Sequence, residues 1–267
     1  MRSTMTQAPL TRAAVRGTQT FSRAITLLRA VALRPKQGWR LTDLADHCGF
    51  DKGSAHRLLA GLVAERLLLQ RVGDKHYVPG PLLFELGLGV TQLSGLVARS
   101  APVLARLAAG SKGVAFLYLR SGAEFVCAER VGPSTLKGMS VEVGTRRPLV
   151  VSAGGVAILL ALPGDEQRLI TAANLQQIES FGPARRSAVQ KMLRRSRRAG
   201  FGLNLADVVP GIHAMGVPLF NGEGQADASL CVVCAAQDLS DERIEALVER
   251  MRKEARVLAP EAVPAIG

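Results

Sequence analysis

The sequence has no apolar run close to the roughly 20 residues that a membrane-spanning helix requires. Its first residues also lack the basic segment followed by an apolar core that marks a secretory signal. These absences predict a cytoplasmic protein that has no membrane partner. The 267 residues, of which 48% are hydrophobic, suffice for one large or two modest domains with a real core.

Cysteine is scarce, with only Cys48, Cys127, Cys231 and Cys234 in the chain. Cys231 and Cys234 lie in an apolar run typical of a strand, where side chains three positions apart point to opposite faces. They could not then share a metal, and no second Cys-x-x-Cys or paired-histidine motif offers further ligands. His213 likewise has no matched ligand in the pattern. We therefore expect no metal and no cofactor, and structural or pocket-lining thiols rather than redox chemistry.

Motifs of several enzyme classes are missing as well. The sequence contains no Gly-x-Ser-x-Gly elbow, no Gly-x-x-x-x-Gly-Lys phosphate loop and no dinucleotide-binding fingerprint. We expect no catalytic residues and no enzyme activity. A cysteine-dependent enzyme is the alternative, and it would need a general base within hydrogen-bond reach of its thiol.

Charge is unevenly distributed along the chain. The formal net charge is +12, and residues 1–80 carry 13 lysines and arginines against 5 aspartates and glutamates, a net +8. The other 187 residues carry 21 against 17, a net +4. A basic excess in the first third is typical of a protein that binds a polyanion. Residues 1–18 contain Arg2, Arg12 and Arg16 without a clear apolar period, and we expect a flexible basic tail there.

Two short helical patterns separated by a glycine turn lie between Leu41 and Leu67. Thr42 is the expected N-cap of the first helix, Gly49 can adopt the positive φ that ends it, and Asp51 is the expected cap of the second. The second helix has an apolar stripe formed by Leu58, Leu59, Leu62 and Val63. Its first turn carries the polar residues Lys52, Ser54, His56 and Arg57. On this segment alone, a helix-turn-helix and an ordinary helical hairpin with solvated charges are equal alternatives.

The flanking segments favour the DNA-binding interpretation. An upstream helix is predicted to place Ile25, Leu28 and Ala32 on one apolar face. Downstream, residues 67–78 predict two short strands around a Gly-Asp turn, with Arg71, Lys75 and His76 near the tip. Together these segments predict a winged helix-turn-helix over residues 19–80. In such a module the second helix of the pair is suited to base edges and the wing to phosphates.

The order and spacing of several short segments resemble the N-terminal domain of IclR-type transcription regulators. These segments are Ser22-Arg23-Ala24, Leu44-Ala45, Ala55-His56-Arg57-Leu58-Leu59, Leu62-Val63 and Tyr77-Val78-Pro79-Gly80. The resemblance covers nearly the whole chain from about Thr20. It implies a linker helix over residues 81–100 and a GAF-like effector-binding domain over 101–267. Gly53 departs from the family, which usually has a serine or another side chain at this point of the recognition helix.

Beyond Gly80 the patterns predict an α+β fold in which helices flank a mainly antiparallel sheet. Strands are predicted at 114–120, 124–131, 140–143, 200–204, 214–220 and around Cys231, and a final helix at 241–258. The basic segment 185–198 has two interpretations. It is a second nucleic-acid surface or, as we favour, a solvated helix face with Ala188, Met192 and Leu193 turned inward.

The resemblance also implies an effector pocket between a helix start at Ser152, Ala153 and Gly154 and the last strands. By position, the family's polar pocket wall falls on Asn204, Ala214, Cys231 and Val233. Family members that bind small carboxylates commonly have an acidic residue, a cysteine and two serines there. Backbone amides at the helix start could hold a carboxylate without a cationic side chain. The loss of hydroxyl groups favours a larger or more apolar effector, which can still be anionic, and a pocket without any ligand is the alternative.

These observations predict a sequence-specific DNA-binding transcription regulator whose operator binding responds to a small-molecule effector. Its partners would be double-stranded DNA and an organic-acid or aromatic effector, and the resemblance implies a homodimer or a dimer of dimers. The predicted DNA contacts are Lys52, Gly53, Ser54, His56, Arg57, Arg71 and Lys75. An architectural protein that binds DNA with little sequence preference is the alternative.

Overall fold

The structure is a computed structural model that describes residues 18–133 and 141–258. Within this part the chain forms two compact units, which meet in sequence between Ser94 and Gly95. The predicted basic tail lies outside the described residues except for Thr18.

The first unit is a winged helix-turn-helix, as predicted. Its elements are α1 (Gln19–Ala32), α2 (Leu41–Cys48), α3 (Lys52–Ala64), β1 (Leu68–Gln70), β2 (Tyr77–Pro79) and α4 (Pro81–Gly87). The strands β1 and β2 pair antiparallel, with Leu69 opposite Val78. The prediction of Thr42 as an N-cap was wrong, because α2 already begins at Leu41 and Arg40 occupies the cap position in an extended conformation.

The turn between α2 and α3 follows the predicted chemistry. Gly49 has a φ of +67°, and the amide of Phe50 after it donates to the Ala45 carbonyl at 2.9 Å. Asp51 caps α3 by accepting a hydrogen bond from the Ser54 amide at 2.8 Å. The connection between α2 and α3 is therefore fixed by the left-handed conformation of Gly49 and by the side-chain cap Asp51.

The apolar face of α1 was predicted incorrectly. The buried side chains are Leu27, Ala30 and Val31, whereas Ile25 and Leu28 are half-buried and Ala32 is exposed. The three buried side chains pack with the other core residues of this unit, which are Trp39, Leu44, Leu59, Leu62, Leu68 and Tyr77. Leu28 packs against this core as a half-buried side chain, and the buried face follows the helical spacing of Ala24, Leu27, Leu28 and Val31 rather than that of Ile25, Leu28 and Ala32.

Trp39 joins the helices to the wing, a role that the sequence pattern did not reveal. Its backbone exchanges two hydrogen bonds with Tyr77 of β2, at 3.1 and 2.8 Å, and so adds a third segment beside the wing. Its indole N–H donates to the Ala30 carbonyl at 2.9 Å. The guanidinium of Arg34 lies 3.8 Å from the ring centroid on one side, and His47 contacts the ring at 4.8 Å between centroids.

The segment predicted as one linker helix over 81–100 is two helices. α4 ends at Gly87, and α5 (Thr91–Ser111) begins after a break and continues well beyond the predicted end. Gly87 is the last residue of α4 and Gly89 lies within the break, consistent with the low helix propensity of glycine. Within the described residues no single helix is long and apolar enough to cross a membrane. α4 and α5 are long and apolar enough to be a candidate membrane span only when they are counted together across their break.

The second unit is built on one six-stranded antiparallel sheet, which confirms the α+β prediction. After α5 its elements are β3 (Val114–Ser121), β4 (Glu124–Val131), β5 (Arg146–Pro148), α6 (Ala153–Leu160), α7 (Gly164–Ile178), α8 (Pro183–Ala199), β6 (Gly202–Leu205), β7 (Ile212–Phe220), β8 (Ala226–Ala235) and α9 (Asp241–Leu258). The strand order is β5-β4-β3-β8-β7-β6. The prediction of a strand at 140–143 was wrong for the described residues 141–143, which are irregular and precede β5.

Each face of the sheet has its own hydrophobic core. One core joins the sheet to α6, α7 and α8, and the other joins it to α5 and α9. Cys231 belongs to the first core and Cys234 to the second, which confirms that the two thiols point to opposite faces. Both are free thiols.

Helix α6 lies almost directly on the backbone of the sheet. Gly202 and Gly216 lie against the Ala153 carbonyl, so that a Cβ added at either glycine would overlap it. Gly154 in turn faces the ring of Tyr118, where an added Cβ would come within 2.6 Å of a ring carbon. Glycines in the sheet and in α6 thus allow the N-terminus of α6 to lie close to the backbone of β6 and β7.

Candidate functional site

The outer surface of α3 presents the predicted DNA-contacting residues together. Lys52, Gly53, His56 and Arg57 are exposed, and Ser54 is half-buried. Arg57 approaches the Ser54 hydroxyl at 3.4 Å, so that the guanidinium lies along the same helix face. The apolar side of α3 points into the core through Ala55, Leu59 and Leu62. The helix is thus fixed from behind while its first two turns offer cations and hydrogen-bond donors to solvent.

The cap residue Asp51 keeps its negative charge at the start of this helix. The hydrogen bond from the Ser54 amide, aided by the Ser54 hydroxyl and the nearby Arg23, lowers the pKa of the carboxyl below its usual value. Arg23 lies 3.9 Å from the carboxylate and 4.5 Å from the centroid of the Phe50 ring. The cap is therefore a fixed structural anion beside the polar residues of α3.

The wing places its two predicted cations in different situations. Arg71 donates to the Lys36 carbonyl at 3.2 Å and to the Gln37 carbonyl, and it pairs with Asp74 at 2.9 Å. These contacts tie the wing to the loop after α1, so Arg71 has a structural role besides any contact to phosphate. Lys75 is exposed at the tip with a φ of +59°. The exposed ammonium group of Lys75 is therefore better able to contact a phosphate than the guanidinium of Arg71.

The second unit contains a cavity between the sheet and its helices, with a space of about 570 Å³ including its opening to solvent. Its wall is formed by Tyr118, Phe125, Val141, Arg147, Val151, Ser152, Ala153, Arg185, Met192, Asn204, Val208, Val209, Ile212, Ala214 and Val233. The structure thus brings five of the predicted effector residues to one wall, namely Ser152, Ala153, Asn204, Ala214 and Val233. Their role in binding an effector stays a prediction.

Two predicted effector residues, Gly154 and Cys231, lie behind this wall. Cys231 is buried, and a Cβ added at Gly154 would come within 2.8 Å of the Cys231 Cβ. The expectation that backbone amides at the start of α6 receive an anion stays a prediction.

The sequence reasoning missed two arginines in the cavity wall, Arg147 and Arg185. Arg147 is opposite Phe125 in the β4–β5 register, whereas its neighbour Arg146 pairs with Glu124 at 2.8 Å. Arg185 lies in the first turn of α8 and donates to the Val208 carbonyl at 2.7 Å. Burial, and secondarily the nearby charge of Arg147, lowers the pKa of Arg185 below its usual value. No sequence pattern marked them, because chain segments far apart in sequence bring them together.

The loop between β6 and β7 covers part of the cavity and is held by buried polar contacts. Asn204 accepts from the Val208 amide at 3.2 Å and donates to the Ile212 carbonyl at 3.2 Å. The Asp207 side chain is fully buried, pairs with Arg195, and lies 3.2 Å from the Lys191 ammonium. Val208 and Val209 are thereby held against the cavity. Asn204 thus has a structural role as well as a place in the wall.

Helix α8 is more than the solvated basic face that was predicted. Arg186 pairs with Glu179, and Lys191 and Arg195 meet Asp207. Its buried side is formed by Val189, Met192, Leu193 and Ser196, whereas Ala188 is only half-buried. About half of the basic residues of α8 therefore form ion pairs or hydrogen bonds within the protein.

The thiols of the second unit are poorly suited to nucleophilic chemistry. Burial raises the pKa of Cys127 and of Cys231 to about 12, and that of Cys234 to about 11. Burial also raises the pKa of Cys48 in the first unit. At neutral pH the thiolate fraction at a pKa of 12 is about one part in 10⁵. Among residues 18–133 and 141–258, no group of three or more His, Cys, Asp or Glu side chains is placed to hold a metal ion.

We expect slow alkylation of the native protein by iodoacetamide at pH 7, with the half-buried Cys48 modified before the three buried cysteines. The rate should rise about tenfold per pH unit, because each step of one unit below the pKa multiplies the thiolate fraction by about ten. Peptide mass spectrometry of timed samples measures this, with the denatured protein as the control. Rapid modification of Cys127 or Cys231 at pH 7 would contradict the burial argument and revive the cysteine-enzyme alternative.

Comparison with known proteins places this geometry in a family. Residues 20–71 match the family model described as the IclR helix-turn-helix domain, and residues 89–259 match the C-terminal domain of bacterial IclR transcriptional regulators. Together the two matches include all of α1 except its first residue, α2, α3, β1 and the whole sheet of the second unit.

Individual proteins are similar over most of the chain. The HTH-type transcriptional regulator BhcR of Paracoccus denitrificans is 26% identical over 245 residues, covering 91% of this chain and 87% of that protein. The crystal structure of an IclR transcriptional regulator from Alicyclobacillus acidocaldarius superposes with a TM-score of 0.70 at 21% identity, covering 91% of this chain and 98% of the other.

A second solved structure has the same fold. It is an IclR homologue from Microbacterium hydrocarbonoxydans in complex with 4-hydroxybenzoate, with a TM-score of 0.70, 20% identity, and coverage of 91% of this chain and 98% of that one. The fold, the exposed face of α3 and the two family matches agree with one another. The chain belongs to the IclR family of bacterial transcriptional regulators.

Proposed function

We propose that this regulator binds a specific operator through α3 and the wing, and that an organic acid in the cavity of the second unit changes its affinity for that operator. The observation that carries the proposal is the pair Arg147 and Arg185 in an otherwise largely apolar cavity, in the same chain as an exposed recognition helix. A regulator with this activity acts where the DNA is, in the cytoplasm.

On the DNA side, we assign base contacts to the exposed first turns of α3 and phosphate contacts to the wing. The exposure of Lys52, His56 and Arg57 supports contacts to base edges or nearby phosphates, and the exposure of Lys75 at the wing tip supports a contact to phosphate. Gly53 offers no side chain, so its backbone can approach the DNA closely. Arg71 contributes mainly by holding the wing in place.

We further propose that the protein acts as a homodimer or a dimer of dimers. The segment from α4 to the start of α5 exposes a set of large apolar side chains: Phe84, Leu86, Leu88, Val90 and Leu93. Apolar surface of this extent favours a second copy as its partner. Two recognition helices would then read two half-sites about one helical turn of DNA apart.

On the effector side, we propose an acid with an apolar or aromatic body. The guanidinium groups of Arg147 and Arg185 supply the anion contact that was expected from helix amides. Tyr118 and Phe125 stack with ring centroids 4.3 Å apart and provide an aromatic wall. Burial raises the pKa of Tyr118 well above its usual value, so its phenol stays neutral beside an anion. The 4-hydroxybenzoate bound by the Microbacterium relative is a molecule of this kind.

The direct test is a selection from randomised duplex DNA, followed by fluorescence anisotropy on the selected and on scrambled sequences over a range of salt concentrations. A preference of roughly 10³-fold for the selected sequence, persisting at moderate salt, would support operator recognition. Equal and steeply salt-dependent binding to both sequences would contradict it and favour an architectural role.

Replacing Lys52 with alanine should weaken operator binding by about tenfold while leaving thermal stability almost unchanged. Lys52 is exposed at the first position of α3, so its loss removes a DNA contact without opening the core. Anisotropy on the selected operator at physiological salt measures the change in affinity.

The matched control is Lys253→Ala, which removes the same charge from an exposed position of α9. It should leave operator affinity within about twofold of the unaltered protein. If Lys52→Ala binds the operator as tightly as this control, Lys52 is not a DNA contact.

A further inference from the structure

We propose that Asp207 is a positioning residue for ligand binding, whose ion pairs with Lys191 and Arg195 of α8 hold the β6–β7 loop closed over the cavity. Residues 206–211 form this loop. The proposal rests on the proposed function only in that the ligand behind the loop is the effector. The contacts that close the loop all lie within the protein, so the loop closes without a ligand.

The loop is a part of the cavity wall that can move. Most of the wall is built from strands and helices, whereas two of its apolar side chains, Val208 and Val209, come from the loop. The loop follows β6, which is an edge strand and pairs only with β7. A displacement of the loop therefore leaves the inner strands of the sheet paired. It removes Val208 and Val209 from the wall and opens the cavity on that side.

The ends of the loop have backbone conformations suited to a hinge. Ala206 has a φ of +55° and Gly211 a φ of +73°. The Ala206 amide donates to the Ile212 carbonyl at 2.9 Å and so closes the loop at its base. Alanine rarely adopts this left-handed conformation, because its Cβ comes too close to the following carbonyl oxygen. The cost is compensated by contacts of the adjacent residue, Asp207.

The carboxylate of Asp207 attaches the middle of the loop to α8. Its side chain is fully buried, it pairs with Arg195, and its Oδ1 lies 3.2 Å from the Lys191 ammonium. Lys191 is exposed and Arg195 is half-buried, so both cations reach the carboxylate from the surface. When the loop is displaced, water can hydrate all three charged groups. These ion pairs therefore fix the closed loop and are replaced by hydration when it opens.

A second contact joins the loop to α8 from the cavity side. Arg185, which is part of the wall, donates through Nη1 to the Val208 carbonyl at 2.7 Å. A guanidinium has five N–H groups, so Arg185 can bind this carbonyl and the acid group of a ligand at the same time. An acid on Arg185 thus stabilises the closed loop further, whereas Asp207 holds the loop in the ligand-free protein.

Hydrogen–deuterium exchange of the ligand-free full chain, followed by mass spectrometry, tests the role of Asp207. In Asp207→Asn, peptides that cover residues 205–212 should exchange at least about tenfold faster than in the unaltered protein, because the hydrogen bonds of the loop amides open more often. Peptides of β8 should stay within about twofold, since the sheet remains paired. Unchanged exchange in the loop, or equally faster exchange in the loop and β8, would overturn the proposal.

Further variants show whether Asp207 acts through its ion pairs. Asp207→Asn already breaks both pairs, so adding Arg195→Gln to it should change loop exchange by less than about twofold. Multiplied effects would overturn the proposal. Asp207→Glu keeps the carboxylate and should exchange more slowly than Asp207→Asn. The control is Arg194→Gln, an exposed neighbour on α8 that is not a partner of Asp207, and it should exchange like the unaltered protein.

Calorimetry with 4-hydroxybenzoate as the probe connects the loop to ligand binding. Asp207→Asn should bind it roughly tenfold more weakly than the unaltered protein and Arg194→Gln, because the open loop takes apolar contacts away from the ligand. Faster loop exchange with unchanged affinity would overturn the role of Asp207 in ligand binding. Failure of the unaltered protein to bind this or any other organic acid would contradict the proposed function, while the ligand-free exchange still decides whether Asp207 closes the loop.

Discussion

Replacing Gly216 with valine is expected to destabilise the second unit by about 3 kcal/mol. Gly216 on β7 lies against the carbonyl of Ala153, so even a Cβ overlaps that oxygen. Neither partner can move easily, because the carbonyl belongs to the first residue of α6 and the glycine lies in an inner strand of the sheet. Since Ser152 and Ala153 form part of the cavity wall, the substitution should also abolish the effector binding that we propose for this cavity.

Thermal unfolding followed by far-UV circular dichroism measures this effect, and calorimetry with the effector measures the loss of binding. The matched control is Gly164→Ala at the start of α7, where an added Cβ has only ordinary contact with the end of Arg168. The control should change stability by less than about 0.5 kcal/mol. A valine variant as stable as the control would mean that α6 does not approach β7 this closely.

Replacing Trp39 with alanine is expected to destabilise the first unit by about 3–5 kcal/mol and to abolish operator binding. Trp39 is 5% exposed and is the only tryptophan in the chain. It fills the core between α1 and the wing, and its indole N–H satisfies the Ala30 carbonyl. A unit of this size has few other large core side chains to compensate for the cavity.

Because Trp39 is the only indole, its fluorescence reports on unfolding of the first unit in the unaltered protein. Circular dichroism is needed for the variant, which lacks that signal. Trp39→Phe is the informative control, since it keeps a ring in the core but loses the hydrogen bond to Ala30, at a cost of about 1 kcal/mol. If Trp39→Ala binds the operator normally, the wing does not depend on this residue.

Local chemistry made the first unit largely predictable from sequence. Gly49 and Asp51 each act on the backbone within a few residues, so the turn and the start of α3 could be placed from their identities. The buried face of α1 was predictable too, because Ala24, Leu27, Leu28 and Val31 follow one helical stripe, and the prediction chose residues beside it. The position of Trp39 was not predictable, because it depends on pairing with Tyr77, a contact far away in sequence.

The cavity was only partly predictable for the same physical reason. Ser152, Ala153, Asn204, Ala214 and Val233 were placed by resemblance, and all five line it. Arg147 and Arg185 are positioned by a strand register and by a hydrogen bond to the β6–β7 loop, which are long-range contacts. Cys231 belongs to the same core as the wall residues, but it is buried and is not itself among the residues that line the cavity.

The strand order has a consequence for how this chain is synthesised. β8 pairs with β3 on one side and β7 on the other, so the middle of the sheet is closed by a strand that leaves the ribosome late. Until then β3 has an open edge, and β8 itself is a ten-residue, almost wholly apolar segment with a single charge at Asp227. Unpaired edges and such segments promote aggregation. The nascent second unit therefore exposes an aggregation-prone edge at β3 until β8 has been made and pairs with it.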